Sequence, residues 1–240
     1  MTAFVISDLH LTAARATELA RFERFLAQLP AAGDSLYVLG DLFDYWAGDD
    51  DIEAPVNRRV VDRLAACAKR GVAQYWIAGN RDFLVGDGFA DAARMTVLED
   101  SFVFDLYGER SVLLHGDTLC TDDQAYQAFR SETRSARWQR AFLARPLDER
   151  RADIESMRAT SEREKAAKPI AIMDVNPDAV TRLFGATRAT RMIHGHTHRP
   201  ACHDYLMFGR QTRRWVLPAW DQYPGYLRVD AQGAQLIYLD

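Results

Sequence analysis

Residues 3–10 read Ala-Phe-Val-Ile-Ser-Asp-Leu-His, a short apolar run that turns abruptly polar and stops on a carboxylate and an imidazole two residues apart. Four more β-like runs end in the same way. Ser35–Leu39 leads into Gly40-Asp41, Gln74–Ala78 into Gly79-Asn80-Arg81-Asp82, Ser111–Leu114 into His115-Gly116-Asp117, and Arg191–Ile193 into His194-Gly195-His196-Thr197-His198. Helical periodicity fills the intervals, notably over Glu18–Gln28 and over Val56–Lys69, with Gly71 as the expected stop. This alternation predicts an α/β fold around a central sheet. Ligands of open α/β sheets gather at the strand C-termini, so the five polar clusters are expected to converge.

The chemistry of those clusters is specific. Asp8 with His10, and His194 with His196, have the i, i+2 spacing that puts both side chains on one side of an extended segment. Gly40, Gly79, Gly116 and Gly195 lie beside them, where a chain must turn sharply. Asp8, His10, Asp41, Asn80, His115, His194 and His196 together offer four imidazoles, two carboxylates and one amide oxygen. That mixture suits Mn²⁺, Fe²⁺ or Zn²⁺ better than Ca²⁺. Seven donors are too many for one catalytic ion. With Asp41 bridging, they divide into Asp8, His10, Asp41 and His196 for one ion, and Asp41, Asn80, His115 and His194 for the other. Such a two-metal site clamps the attacking and leaving oxygens of a phosphoryl displacement. Asp82, Asp117 and His198 are expected to orient these ligands, and His203 to be an ordinary surface or packed histidine.

Composition narrows the alternatives. The chain has 240 residues, 48% of them hydrophobic and 27% charged, which fits one globular domain over 1–240. Thirty Lys+Arg against 34 Asp+Glu leave a net charge of −4, which argues against a globally basic nucleic-acid binder and leaves room for a local basic surface. The three cysteines form no CxxC pair, which argues against a disulfide framework and for a reducing, cytosolic compartment. The run Ala3–Ile6 is too short for a secretory signal, and no apolar stretch reaches the ~18–20 residues that span a bilayer, so any membrane contact is expected to be peripheral. After Pro200, strands are expected at Tyr205–Phe208, Arg214–Leu217, Tyr226–Val229 and Gln235–Leu239, in antiparallel arrangement.

One segment, 124–168, breaks the pattern as a long helical insertion carrying eleven Lys+Arg against seven acidic residues, with Pro146 expected to divide two helices. Trp138, Phe142, Ile154 and Met157 follow helical spacing within it. They either glue the helices together or also line a slot for acyl chains, with neighbouring arginines meeting anionic headgroups.

The succession DLH, GDLFDYW, GNRDF, HGDTLCTDD and HGHTHRP, running from Asp8 to Pro200, resembles the calcineurin-like metallophosphoesterase superfamily, and within it the family of UDP-2,3-diacylglucosamine pyrophosphatases. The insertion and the following Ile172-Met173-Asp174-Val175 match that family too. The resemblance implies a sandwich of two mixed β-sheets flanked by helices, with 124–168 as a substrate cap. It implies two divalent ions, Mn²⁺ foremost, and substrate contacts at Asn80, Arg81, Asp123, Ser161, Lys165, Lys168 and His194. The implied activity is hydrolysis of a lipid-linked nucleotide sugar to UMP and 2,3-diacylglucosamine 1-phosphate (lipid X) in lipid A biosynthesis. The implied setting is peripheral, on the cytoplasmic face of a bacterial inner membrane, with no obligate protein partner.

Arg81 points the same way on chemical grounds. Most members of the superfamily carry GNHD, whose histidine is thought to protonate the leaving group, whereas an arginine is no acid at neutral pH. Expelling an alkoxide, whose conjugate acid has a pKa near ~15.7 like water, needs a proton; expelling a phosphate monoester, with a second pKa of about 6, does not. Arg81 offers a permanently charged fork for phosphate oxygens, and His194 is expected to face them with it. The remaining rivals are a nucleotide phosphodiesterase, phosphoprotein phosphatase or nuclease of the same fold, and a catalytically dead scaffold, which the full set of seven ligand positions disfavours. Leu217-Pro218-Ala219-Trp220-Asp221 departs from the Gly-Asp-Trp-like sequence expected there.

Overall fold

Strand periodicity organises the molecule. The computed structural model describes the backbone of residues 1–167 and 173–240, and the side chains of all these except 161–167. In β1 (Ala3–Ile6) burial alternates between two apolar clusters, Ala3 and Val5 joining one, Phe4 and Ile6 the other. Successive side chains of a strand point to opposite faces, so β1 has to be covered on both. Parallel to it run β2 (Ser35–Leu39), β3 (Ala73–Ile77) and the short β4 (Thr96–Val97). On its other edge β10 (Gly225–Asp230) and β11 (Gly233–Tyr238) are antiparallel, giving the order β11-β10-β1-β2-β3-β4. Helices α1 (Ala16–Gln28), α2 (Pro55–Lys69) and α3 (Asp87–Ala93) cover the outer face, where Phe22, Phe25, Leu64 and Phe89 pack on Phe4, Ile6, Val38 and Trp76.

A second, five-stranded sheet covers the inner face. It consists of β5 (Ser101–Leu106), β6 (Glu109–Leu114), β7 (Arg191–His194), β8 (Ala201–Met207) and β9 (Arg210–Val216), in the order β5-β6-β7-β9-β8. Leu113, Ile193 and Trp215 meet Val5, Leu39 and Ile77 between the sheets. On its far side α7 (Pro177–Thr187) sets Val180 and Phe184 against Val112, Leu114 and Met192. Two mixed sheets flanked by helices therefore replace the single central sheet that alternation alone predicts.

Two further expectations need correction. The C-terminal strands form antiparallel hairpins but do not stay together: β8–β9 joins the second sheet because β9 pairs in parallel with β7, and β10–β11 joins the first through β1. The insertion contains three helices, α4 (Gln124–Thr133), α5 (Ala136–Leu143) and α6 (Leu147–Ala167). Pro146 separates the last two, while Ser135 opens α5 by accepting a hydrogen bond from the Trp138 amide at 3.2 Å. Phe142 is buried in the apolar cluster beneath α1–α3, with its ring stacked on Trp138 at 4.6 Å and with Trp138, Ile154 and Met157 packed against the same cluster. On this face of the insertion the side chains glue helices to the body.

Trp220, in the departing C-terminal sequence, is fully buried against Phe22 and Phe25, and its amide donates to the Asp8 carbonyl at 3.1 Å. The helix layer is thus pinned to a metal-ligand loop. Trp220→Ala is expected to cost about 3–5 kcal/mol in urea unfolding, whereas Trp220→Phe keeps most of the stability.

Candidate metal centre

The polar clusters converge, and the backbone is bent to bring them together. Asp8, His10, Asp41, His196 and His198 all adopt left-handed backbone conformations, with φ between 48° and 66°. Non-glycine residues seldom do so, and such strain persists only where the surroundings hold it. Here the Leu9 and His10 amides both donate to the Asp41 carbonyl at 2.9 Å. The Asp82 carboxylate accepts from the amides of Asp41, Leu42, Phe43 and Gly79 at 2.8–3.3 Å, so its expected orienting role is met through the backbone. Gly79 and Gly195 lie so close that a Cβ would stand 2.1 Å from Asp41 Oδ1 and from Asp8 Oδ2, respectively.

Two overlapping donor groups result. Ligand atoms of Asp8, His10 and His198 lie within 4.8 Å of one another, as do those of Asp8, Asp41 and His115. His198 Nε2 is 3.3 Å from His10 Nε2 and 3.4 Å from Asp8 Oδ1. Asp41 faces both ways, with Oδ2 3.8 Å from His10 Nδ1 and Oδ1 3.7 Å from His115 Nε2. Asn80 Oδ1 lies 2.9 Å from both His115 Nε2 and His196 Nδ1, while His115 Nδ1 donates to the Leu39 carbonyl at 2.8 Å.

The electrostatics calls for a cation. Burial and the neighbouring Asp8 raise the Asp41 carboxyl above its usual range, despite His115 beside it. Burial opposes a charge on His115 too, but Asp41, Asp8 and Asp117 outweigh it and lift the imidazole to about 9. His196, by contrast, is pushed down to about 3 by burial and by His115, which keeps it a neutral donor. Asp8 Oδ1 and His10 Nδ1 are buried without a hydrogen-bond partner. Orphaned donor atoms of this kind, converging on buried carboxylates, fit divalent ions.

The structure places two histidines differently from expectation. His194 is fully buried in β7, with Nδ1 2.9 Å from the Gly195 carbonyl and Nε2 3.0 Å from Arg214 Nη1, so its ring nitrogens are engaged by Gly195 and Arg214 rather than by the donor groups. His198, expected as a support, stands among the donors instead. The cause is that β7 ends at His194 and the chain turns left-handed at His196 and His198, so the extended i, i+2 rule stops applying. His196 also changes group, lying with Asn80 and His115 rather than with His10. The recurrence of histidine at every second position through His198 was the available signal.

Among the expected substrate contacts, Arg81 sits at the edge of the centre, its amide donating to Asp41 Oδ1 at 2.8 Å and its Nη1 3.6 Å from Asp44. Asp44 also holds Arg158 of α6 at 2.6 Å, linking the insertion to Arg81. Asp123 caps α4, accepting from the Tyr126 amide. Ser161 and Lys165, as side chains, and Lys168 lie outside the described residues. Several arginines of the insertion are committed to the body. Arg130 pairs with Asp117 and Asp100, Arg134 donates to the Gly79 carbonyl, Arg150 is paired with Asp50, and Arg151 with Asp51. Asp117 accepts from Tyr126 and Arg130, and the Tyr126 ring stacks on His196 at 6.1 Å, so Asp117 anchors α4 beside a donor rather than bonding one.

A fold of two sheets with metal-donor loops at their shared edge defines a class. The chain belongs to the calcineurin-like phosphoesterase family, whose sequence model matches residues 1–200. Curated relatives are more specific: the chain is 47% identical over 233 residues to a UDP-2,3-diacylglucosamine hydrolase of Aromatoleum aromaticum, covering 97% of this chain and 95% of that one. Proteins of the same name from Aeromonas hydrophila and Escherichia coli O7:K1 are 49% and 43% identical, over 92% and 99% of this chain and 91% and 99% of theirs. A solved archaeal phosphodiesterase shares the fold, with a TM-score of 0.50 and 10% identity over the full length of both chains.

Proposed function

We propose that this protein hydrolyses the pyrophosphate of UDP-2,3-diacylglucosamine, releasing UMP and 2,3-diacylglucosamine 1-phosphate in lipid A biosynthesis. The carrying observation is Arg81, a fixed cation rather than an acid, at the edge of a centre with two donor groups. The names of relatives 43–49% identical to this chain support the substrate. The ligand set we propose is Asp8, His10, Asp41 and His198 for one ion, and Asp41, Asn80, His115 and His196 for the other, with Mn²⁺ as the ion. When bound, such ions polarise phosphoryl oxygens and lower the pKa of water.

The chain's own residues do the rest. Arg81 binds phosphate oxygens on a leaving group that departs without a proton, and Asp44 keeps its guanidinium oriented. His115 is held with Nε2 inward by the Leu39 carbonyl. Residues 124–168, within one domain spanning 1–240, form the cap over the lipid end, where Asp123, Ser161, Lys165 and Lys168 are proposed to bind the substrate. No helix among the described residues is long and apolar enough to cross a membrane, and we infer peripheral attachment at the cytoplasmic face of the inner membrane through the lipid substrate itself.

The ligand set is checked by elemental analysis: Asp41→Ala should lose both ions, His198→Ala one, and His194→Ala neither. Release of UMP from UDP-2,3-diacylglucosamine with Mn²⁺, followed by mass spectrometry, tests the activity. Arg81→His should lower that rate about 100-fold, the scale of removing one charge-stabilising donor, with metal content unchanged. An undiminished rate would show that Arg81 does not touch the reacting phosphates. UDP-glucosamine should be cleaved roughly a thousandfold less well, since each buried CH₂ contributes about 0.8 kcal/mol and five suffice for that factor. Equal turnover of both substrates would reduce the assignment to a general metallophosphoesterase.

A further inference from the structure

A cleft of about 770 Å³ adjoins the donor residue His198. Its wall includes His198 and then Thr197, His203, Gln222, Tyr223 and Tyr238, drawn from the loop after β7, from β8, from the segment after Trp220, and from β11. Among the described residues, none of the lining belongs to the insertion. We propose that this cleft is the binding site for the nucleoside monophosphate end of the substrate, an inference that rests on the pyrophosphatase reading for the phosphate's position.

Three observations carry it. The first is direction. A pyrophosphate diester carries one substituent on each phosphorus, so the sugar and the nucleoside occupy different parts of the surface around the centre. The insertion approaches the centre through Tyr126, stacked on His196, and through Arg158, which shares Asp44 with Arg81. The cleft opens from His198, in the other donor group. A diacylated sugar under the insertion leaves this cleft beside His198 open to the nucleoside.

The second observation is chemistry. Tyr223 and Tyr238 are 54% and 53% exposed, an unusual state for two large rings facing one depression. Aromatic rings exposed in a cleft are platforms for a base, which stacks on them by its π-face. Gln222 offers both a donor and an acceptor amide group to the edge of a base. The third is an unmet bond: the Thr197 hydroxyl is buried with no hydrogen-bond partner, in a residue that lines the cleft between the donors His196 and His198. A ribose or phosphate oxygen in the cleft supplies that partner once the Thr197 side chain rotates toward it. The carboxylate in the wall, Asp174, is ion-paired to Arg199 and so presents little repulsion to a phosphate.

The experiment compares UMP with ribose 5-phosphate by isothermal titration calorimetry on the Mn²⁺-loaded protein, since the two differ only by the base. Stacking and edge contacts should make UMP bind about tenfold more tightly, within the usual range for one base on an aromatic platform. Tyr223→Ala and Tyr238→Ala, both truncations of exposed rings that the fold tolerates, should each reduce this ratio, and together abolish it. Ribose 5-phosphate should bind the variants as it binds the wild type. Equal binding of the two ligands by the wild type overturns the proposal, as does a ratio that survives the double substitution. If the ratio behaves as expected but UDP-2,3-diacylglucosamine is not cleaved, the nucleoside site stands and the hydrolase reading falls.

Discussion

Asp8 and Asp41 are buried beside one another, and the molecule around them is arranged to make that tolerable. A carboxylate removed from water is costly, and two in one pocket repel, unless positive charge or hydrogen-bond donors meet them. The protein supplies part of the answer. Ser7 donates to Asp8 Oδ2 at 2.6 Å, the amides of His196 and Arg81 donate to Asp8 and Asp41, and His115 is driven toward its charged form by the carboxylates around it. Asp8 Oδ1 and His10 Nδ1 are left without a hydrogen-bond partner inside the centre, which is the state of a site built for cations.

Meeting that constraint dictates the backbone. Side chains from five strand ends can reach a common point only if the loops bend tightly, and five ligand-bearing residues take left-handed conformations to do so. What keeps the strain in place is a frame of main-chain bonds, four of them ending on Asp82. Burial and the nearby Asp41 raise the Asp82 carboxyl to about 7, so those amide donors are what hold it in its acceptor role. Trp220 extends the frame to the helix layer. Stability of the apolar core and geometry of the centre are therefore one problem, because the residue that packs between α1 and the sheet also bonds the Asp8 carbonyl.

The insertion is joined to the centre by charge as well as by apolar packing. Arg150 is 1% exposed and donates to the Ala47 and Arg145 carbonyls as well as to Asp50. Arg158 shares Asp44 with Arg81. An arginine that is desolvated and multiply bonded fixes orientation more than it adds net stability. Several basic residues of this segment thus serve as struts, and one of them, Arg158, ends beside Arg81 through their shared Asp44.

Local chemistry was legible from the chain alone. The apolar runs that end in Asp8, Asp41, Asn80 and His115 mark strands and donors at once, because a strand's end and its first loop residues are neighbours along the chain. The resemblance of five motifs in order added the two-sheet sandwich, which alternation of strand and helix does not distinguish from a single sheet. What tertiary structure decided was everything that depends on distant partners. Whether β8–β9 or β10–β11 joins a given sheet depends on β7 and β1, far away in sequence. Edge strand β5 shows no clear pattern because only Leu106 among its residues is buried. His194 and His198 could not be told apart by spacing, since the turn after Gly195 breaks the extended geometry and Arg214, from another strand, takes the ring of His194. A side chain's identity is written in the sequence; the direction in which it points is set by the neighbours that folding brings to it.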